Sequence, residues 1–381
     1  MKITDPRTPS APSFLSPVAS LLNDPRDLTF VWTALQCSSL VACGVALFFV
    51  DVPGQFTAPA YALLSLALFD RYTLMLHCTS HRLLFKKRYG LLNHVIPKLI
   101  GLFFGQTPGS YFLHHLGMHH REENLEDDLS TTMRYKRDRI DHWLRYFLRF
   151  LFIGVAELAL YFYRRRQWKF FRNLLVGELG FFALLALLYS WRPIPTLIVF
   201  IVPFLVVRAG MMMGNWGQHA FISSESPENP YLASITCINT RYNRRCFNDG
   251  YHVLHHVKPA CHWSDHPKEF ERSLGEYARH DSLVFDGIDF FQVWLALMLR
   301  RWSYLAAHVV QLEGAPLRTR EEVIALLKRR VLPCDPRPSQ SLRDGREPGA
   351  TLESAGTAPQ VRVPRMSAAV GLSPDPEPAC D

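Results

Sequence analysis

The chain has 381 residues, 42 Lys and Arg against 34 Asp and Glu, a formal net charge of +8, 48% hydrophobic residues and a mean hydropathy of +0.00. These averages suit a soluble protein of two or three domains, yet they arise because long uncharged runs offset charged and Pro-rich stretches. The basic excess gathers beside the apolar runs, which points to anionic lipid and away from a nucleic-acid partner. Eight cysteines with no C-x-x-C pair give zinc-ribbon and thioredoxin-like readings no support, and free thiols in a reducing compartment are expected.

Residues 1–26 contain Pro and Ser and no long apolar core, so a cytosolic N-terminal segment is expected in place of a cleaved signal peptide. Leu28 to Val50 carry no charge, and at about 1.5 Å per residue they cross a hydrocarbon core about 30 Å thick. Residues 56–76, 174–191 and 194–213 make three further predicted spans. The links Asp51 to Thr57 and Trp191 to Thr196 hold a single basic residue, Arg192. By contrast, Arg82, Lys86, Lys87 and Arg88 follow the second span, and Arg164, Arg165, Arg166, Lys169 and Arg172 precede the third. This asymmetry puts both links outside or in the lumen and both chain ends in the cytosol. The predicted fold is all-α: an integral membrane domain over residues 27–334 with four transmembrane helices in two hairpins. At 335–381, Pro, Ser, Gly, Arg and Glu replace large apolar residues and a disordered tail is expected.

Three apolar stretches fall outside this count. Trp143 to Tyr163 contains Arg145 and Arg149 and runs into Arg164 to Arg166, which suits an interfacial helix on the cytosolic face better than a span. Phe290 to Val310 is interrupted by Arg300 and Arg301 and reads as a surface-lying or capping helix. His94 to Leu113 holds Pro97, Gly101, Gly105, Pro108 and Gly109, so a broken or re-entrant segment is expected.

Four histidine clusters sit at the cytosolic ends of these segments: His77-x-x-x-His81, His115-x-x-x-His119-His120, Asn215-x-x-x-His219 and His252-x-x-His255-His256. Residues three or four apart share a helix face, so each cluster aims its imidazoles at one point. A lone interfacial histidine is usually just hydrogen-bonded or snorkelling, and His77 with His81 taken alone suits that role equally well. His252, His255 and His256 do not, because three imidazoles on one face repel when protonated and have no apolar packing rationale. Imidazole suits iron, zinc, copper and nickel alike, but nine candidate ligands exceed what one tetrahedral zinc accepts, so two metals are implied.

The order HxxxH, HxxxHH, NxxxH, HxxHH over two membrane hairpins, all on one side, resembles the membrane-bound fatty acid desaturase and hydroxylase superfamily of histidine-box di-iron enzymes, over roughly Leu28 to Pro267. The resemblance implies two non-haem irons held by His77, His81, His115, His119, His120, His219, His252, His255 and His256, with Asn215 reaching one metal through water. It also implies O2 as co-substrate and removal of hydrogen from an unactivated methylene of an acyl chain. Loss of two hydrogens gives a double bond, the preferred reading, and return of a hydroxyl gives an alcohol, the alternative. No His-Pro-Gly-Gly signature of a fused haem domain is seen, so electrons are expected from a separate cytochrome b-type protein or ferredoxin. The third box opens on His252 where relatives that desaturate near the carboxyl end often have Gln, which disfavours that position. The implied location is the endoplasmic reticulum or another internal membrane. A metal transporter or zinc-containing receptor is the non-enzyme alternative, but the first, third and fourth spans offer it no mid-bilayer histidine.

Other residues carry secondary expectations. Asp249, three before His252, and Asp70, seven before His77, can share a helix face with a ligand and orient it. Glu122, Glu123, Asp127 and Asp128 either serve likewise or form a solvated acidic loop. His114 is expected beside the site without ligating. His94, His142, His262, His266, His280 and His308 are expected to be non-ligands. Glu178 and Arg208 fall at similar depth in the third and fourth spans and are expected to form a structural ion pair. Arg241, Arg244 and Arg245 suit lipid phosphate or an anionic head group.

Overall fold

The computed structural model describes residues 2–50 and 54–334. The tail at 335–381 and part of the first link lie outside the described residues. Helix α1 (Leu28–Ala46) is followed by the 28-residue α2 (Gly54–His81). Both contribute to one core that contains Phe30, Cys37, Leu40, Tyr72, Met75 and Leu76. In α1, Thr33, Ser38 and Ser39 return their hydroxyls to carbonyls four residues back, so the apolar surroundings meet no loose polar group.

Three helices are long and apolar enough to cross a membrane: Pro25–Ala46, Trp168–Trp191 and Pro193–Gln218. Large apolar side chains such as Val176, Leu179 and Leu187 are exposed on them, as a lipid-facing surface requires. The chain is thus a multi-pass integral membrane protein. Helix α2 is not among the three. It has the length, but Asp70, Arg71 and its histidine-bearing end dilute its apolarity, so three of the four expected spans stand out by length and composition. The stretch expected as one interfacial helix is a bent pair, α3 (Ile140–Phe152) and α4 (Gly154–Arg164), meeting at 64°, and it supplies a fourth crossing only if the pair counts as one span.

Between α2 and α3 the chain makes short turns at Lys87–His94, Val95–Lys98 and Ile100–Phe104, and then reaches α5 (Ser110–His114). Gly105 sits at φ 69° where an added Cβ would come within 2.7 Å of the Pro203 carbonyl oxygen, so the turn can touch the third of these apolar helices only with glycine there. Helix α6 (Trp168–Trp191) leads through a π-helical turn at Leu197–Ile201 into α7 (Val202–Gln218).

The remaining chain forms a cap, and here the all-α expectation needs a correction. Strands β1 (Thr236–Ile238) and β2 (Val284–Asp286) pair in parallel, Cys237 opposite Phe285. All but Asp286 of these six residues are buried, the environment in which short β-branched and aromatic runs favour a ladder. The fold is mostly helical. Phe290 to Val310 is two helices, Phe290–Met298 and Trp302–His308, broken at Arg300 (φ 50°), which cap the core with Phe290, Val293, Leu297 and Leu305 fully buried and leave Leu295 and Leu299 exposed. Arg137, also fully buried, spends its guanidinium on the carbonyls of Ala220, Thr132, Arg330 and Leu332, tying the loop after the second histidine box to the last helix. Asp5 of the N-terminal segment accepts bonds from the backbone of Asn239 and Thr240 and from Tyr251, the residue before the third box.

Candidate metal centre

The last turns of α2 put His77 and His81 on one face, four residues apart. His115–His119 is a π-helical turn in which the His120 N–H bonds the His115 carbonyl. Bonds from i to i+5 bring residues five apart onto one side, a placement an α-helix does not give, and His115 and His120 Nε2 atoms lie 3.2 Å apart. His219 follows the last residue of α7, and His252, His255 and His256 share the six-residue helix His252–Val257. Gly250 anchors that helix: its N–H bonds Asn243, its carbonyl accepts from Cys237 of β1, and a Cβ there would run into the Cys237 carbonyl.

These imidazoles gather into two adjoining groups. His77, His81, His115, His120 and His255 form one, with ligand atoms all within 4.8 Å of one another, and His119, His219 and His256 form the other. His252 Nε2 lies 3.3 Å from His219 Nε2 and 3.1 Å from His256 Nε2, at the edge of the second group. The adjacent pairs His119-His120 and His255-His256 are therefore split, one ring to each group, because neighbouring helical residues point in different directions. The expectation that each box aims at a single point is corrected for these two boxes.

Within the first group the Nε2 atoms are spaced at 3.0 Å for His77 and His255, 2.9 Å for His81 and His115, and 3.0 Å for His120 and His255. For His77 in this group, and for His119 and His219 in the other, the second ring nitrogen shows why such contacts are not ordinary hydrogen bonds. His77 Nδ1 lies 3.2 Å from Asp249 Oδ1, His119 Nδ1 lies 2.6 Å from Asp128 Oδ2, and His219 Nδ1 lies 2.9 Å from the Ala233 carbonyl. An acceptor at Nδ1 keeps the proton there and leaves Nε2 a bare lone pair. Lone pairs facing one another repel unless a cation sits between them. Metal–imidazole bonds of about 2.0–2.1 Å at a right angle set two nitrogens about 3 Å apart, so the donor set fits metal ions.

Electrostatics favours the same state. Burial, and then the neighbouring imidazoles, hold His115, His120, His252, His255 and His256 well below the ordinary imidazole value, and burial takes His219 down to about 4. They are neutral ligands at neutral pH. Burial works to raise the Asp128 carboxyl, but the His119 charge interaction and bonds from His119 and Ser130 hold it well below the usual carboxylate range.

Of the supporting carboxylates that local spacing suggested, Asp249 and Asp128 each meet a ring and Asp70 does not. Asp249 meets His77 from far along the chain, not its neighbour His252, whose Nδ1 is buried without a partner among the described residues. Asp70 is engaged by Arg245 and not by His77, which also removes Arg245 from any open anion site. Of the four acidic residues after the second box, Asp128 takes the orienting position. Asp127 and Glu122 meet Arg165, Glu122 also accepts from Tyr161, and Glu123 adopts φ 50°. Asn215 donates to the Ser130 carbonyl and the Tyr146 hydroxyl, so Ser130 and Tyr146 support the site without any signal in the spacing. His114 and the six other histidines belong to neither group. A cavity partly open to solvent, lined by His77, His115, His119, Asn215, His252 and Met211 among others, lies beside both groups.

The family model for fatty acid desaturases matches residues 55–287, which takes in all four boxes and ends at the cap. No curated protein matches the chain.

Proposed function

The chain belongs to the fatty acid desaturase family, and on that premise we propose that it is a membrane-bound di-iron oxidase that introduces a double bond into an acyl chain, with O2 as co-substrate and electrons from a separate donor. The observation that carries this reading is the convergence of nine imidazoles from four separated boxes, Nε2 atoms inward, beside one cavity. Two irons held there would supply, with O2, the oxidising power to remove hydrogen from an unactivated methylene. The balance is two hydrogens from adjacent carbons, two further protons and two electrons from a cytochrome b-type protein or ferredoxin, giving an alkene and two waters from one O2.

The chain's own residues bind and orient. Asp249, Asp128 and the Ala233 carbonyl fix the tautomers of His77, His119 and His219, and Asn215 lines the cavity, where the water-mediated contact implied by its box has room. Met211, Gly210 and Phe69 give the cavity an apolar wall on which a hydrocarbon chain lies. In the membrane, α2 completes two hairpins with the three apolar helices, the bent α3–α4 pair lies along the interface, and both termini are cytosolic, in the endoplasmic reticulum or another internal membrane.

The test is metal and product analysis of the purified full chain and of cells fed defined fatty acids. The expected result is about two irons per chain and a new alkene, abolished by His255→Ala with membrane insertion intact. An alcohol with no alkene moves the reaction to hydroxylation. One zinc per chain with no oxidised lipid overturns the proposal.

A further inference from the structure

The two charges buried among the apolar helices, Glu178 and Arg208, do not form the ion pair their depth suggested. Each is about 95% buried, and among the described residues no carboxylate oxygen of Glu178 lies within 4.0 Å of the Arg208 guanidinium. Glu178 Oε1 accepts the Thr107 hydroxyl, and Oε2 has no partner. The Arg208 guanidinium makes one long bond, Nε to the Gly105 carbonyl at 3.4 Å, and otherwise lies over the Phe204 ring at 4.1 Å. Both side chains line a single cavity, partly open to solvent and walled on one side by the α3–α4 bend at Gly154 and Leu158. A carboxylate oxygen with no hydrogen-bond partner and a guanidinium with one long bond, on two side chains that line one pocket at membrane depth, are costly unless a group there bonds both.

The cavity is not isolated. Tyr111, His114, Met211 and Met212 line both it and the larger cavity at the histidine groups, so the two are neighbours across those four side chains. Arg208 lies seven residues before Asn215 on α7, about 10 Å along the helix axis. A hydrocarbon tail ending between two charges would lose its own apolar solvation and strand theirs. A carboxylate would bond Arg208 but meet the bare Oε2 of Glu178, like charge against like charge. A neutral group that both donates and accepts, an alcohol or an amide, satisfies both sides.

Resting on the oxidase reading above, we infer that the Glu178–Arg208 cavity is a binding subsite for the polar end of the lipid substrate, and that this end is a hydroxyl or an amide. Glu178 Oε2 accepts its O–H or N–H, Arg208 donates to its oxygen, and the chain runs past Tyr111 and Met211 to the histidine groups. The oxidised carbons then lie on the order of 10 Å from the polar group.

The test is equilibrium binding of hexadecanol, hexadecanamide and hexadecanoate to the full chain in lipid nanodiscs, with turnover, iron content and melting temperature followed in parallel. The alcohol and the amide are expected to bind at least about tenfold more tightly than the carboxylate, the scale of one bond to a charged group. Glu178→Gln keeps the Thr107 contact, removes the opposing charge and should raise hexadecanoate affinity about tenfold. Arg208→Gln should weaken alcohol and amide binding about tenfold; if that variant does not fold, the wild-type ranking and Glu178→Gln decide the matter. Equal binding of the three probes, or a ranking that Glu178→Gln leaves unchanged, means that water alone fills the cavity and overturns the subsite, while iron and turnover leave the oxidase standing. The predicted ranking in a protein that neither holds iron nor oxidises lipid upholds the subsite and removes the oxidase.

Discussion

Replacing Asp128 by Asn tests the metal centre at a residue that touches no metal. Asp128 is 1% exposed and receives four donors: His119 Nδ1 at 2.6 Å and the Asn124 N–H at 2.9 Å on Oδ2, and the Ser130 N–H at 2.8 Å and hydroxyl at 2.6 Å on Oδ1. Asparagine keeps one oxygen. With that oxygen toward His119, the Ser130 hydroxyl turns to accept from the new NH2, and the Ser130 N–H alone is orphaned, at a cost of about 1–3 kcal/mol. The opposite flip orphans His119 and Asn124 together and is disfavoured. His119 thus keeps its tautomer but loses a charged acceptor, and a change of that kind costs about ten- to a hundredfold in metal affinity. Because His119 belongs to the group with His219 and His256, the loss should fall on one ion: after dialysis against a graded chelator, iron should drop from about two per chain to about one. The assay is iron by plasma emission against protein by amino-acid analysis. Retention of both irons at wild-type chelator concentrations, or loss of both together, would refute the reasoning.

The mirror change, Asp249→Asn, should deplete the five-imidazole group instead, since Asp249 orients His77 and also anchors Tyr242 and Gln218. Asp70→Asn should leave iron content unchanged because its carboxylate faces Arg245, and iron loss in that variant would restore the role its spacing suggested. Gly250→Ala drives a Cβ into the Cys237 carbonyl and should cost about 1–3 kcal/mol, read as a lower melting temperature of the cap; an unchanged melt would mean that β1 shifts freely. Acid should weaken the metal-free protein. The unfolded chain takes up protons near the ordinary imidazole value of 6.5, whereas His219 does so at about 4 and His115, His120, His252, His255 and His256 well below 6.5. Stability is therefore flat above about pH 6.5 and falls as pH drops toward 4, so an unfolding midpoint that is the same at pH 7 and pH 5 contradicts these burial effects.

The candidate ligand residues were legible because coordination chemistry is local: imidazoles three or four residues apart share a helix face, and their number alone exceeds one zinc. The three most apolar helices were legible for the same reason, since a bilayer sets one length and one composition. Helix α2 shows the limit of that rule. Its Asp70 and Arg71 are tolerable because Arg245 of the cap and Gln36 and Thr33 of α1 take them up, and none of those partners lies nearby in sequence.

What the amino-acid order determined by itself is the histidine set that converges, the membrane habit and the family. The folded chain alone decided how the rings divide, since a π-helical turn and the splitting of two histidine doublets send neighbouring imidazoles to different groups. It also decided which carboxylate serves which ring, Asp249 for His77 and Asp128 for His119, and it left Glu178 and Arg208 apart. Helical periodicity fixes the direction of a side chain about its own axis. The group it meets there depends on how distant elements pack, and short-range spacing carries no record of that.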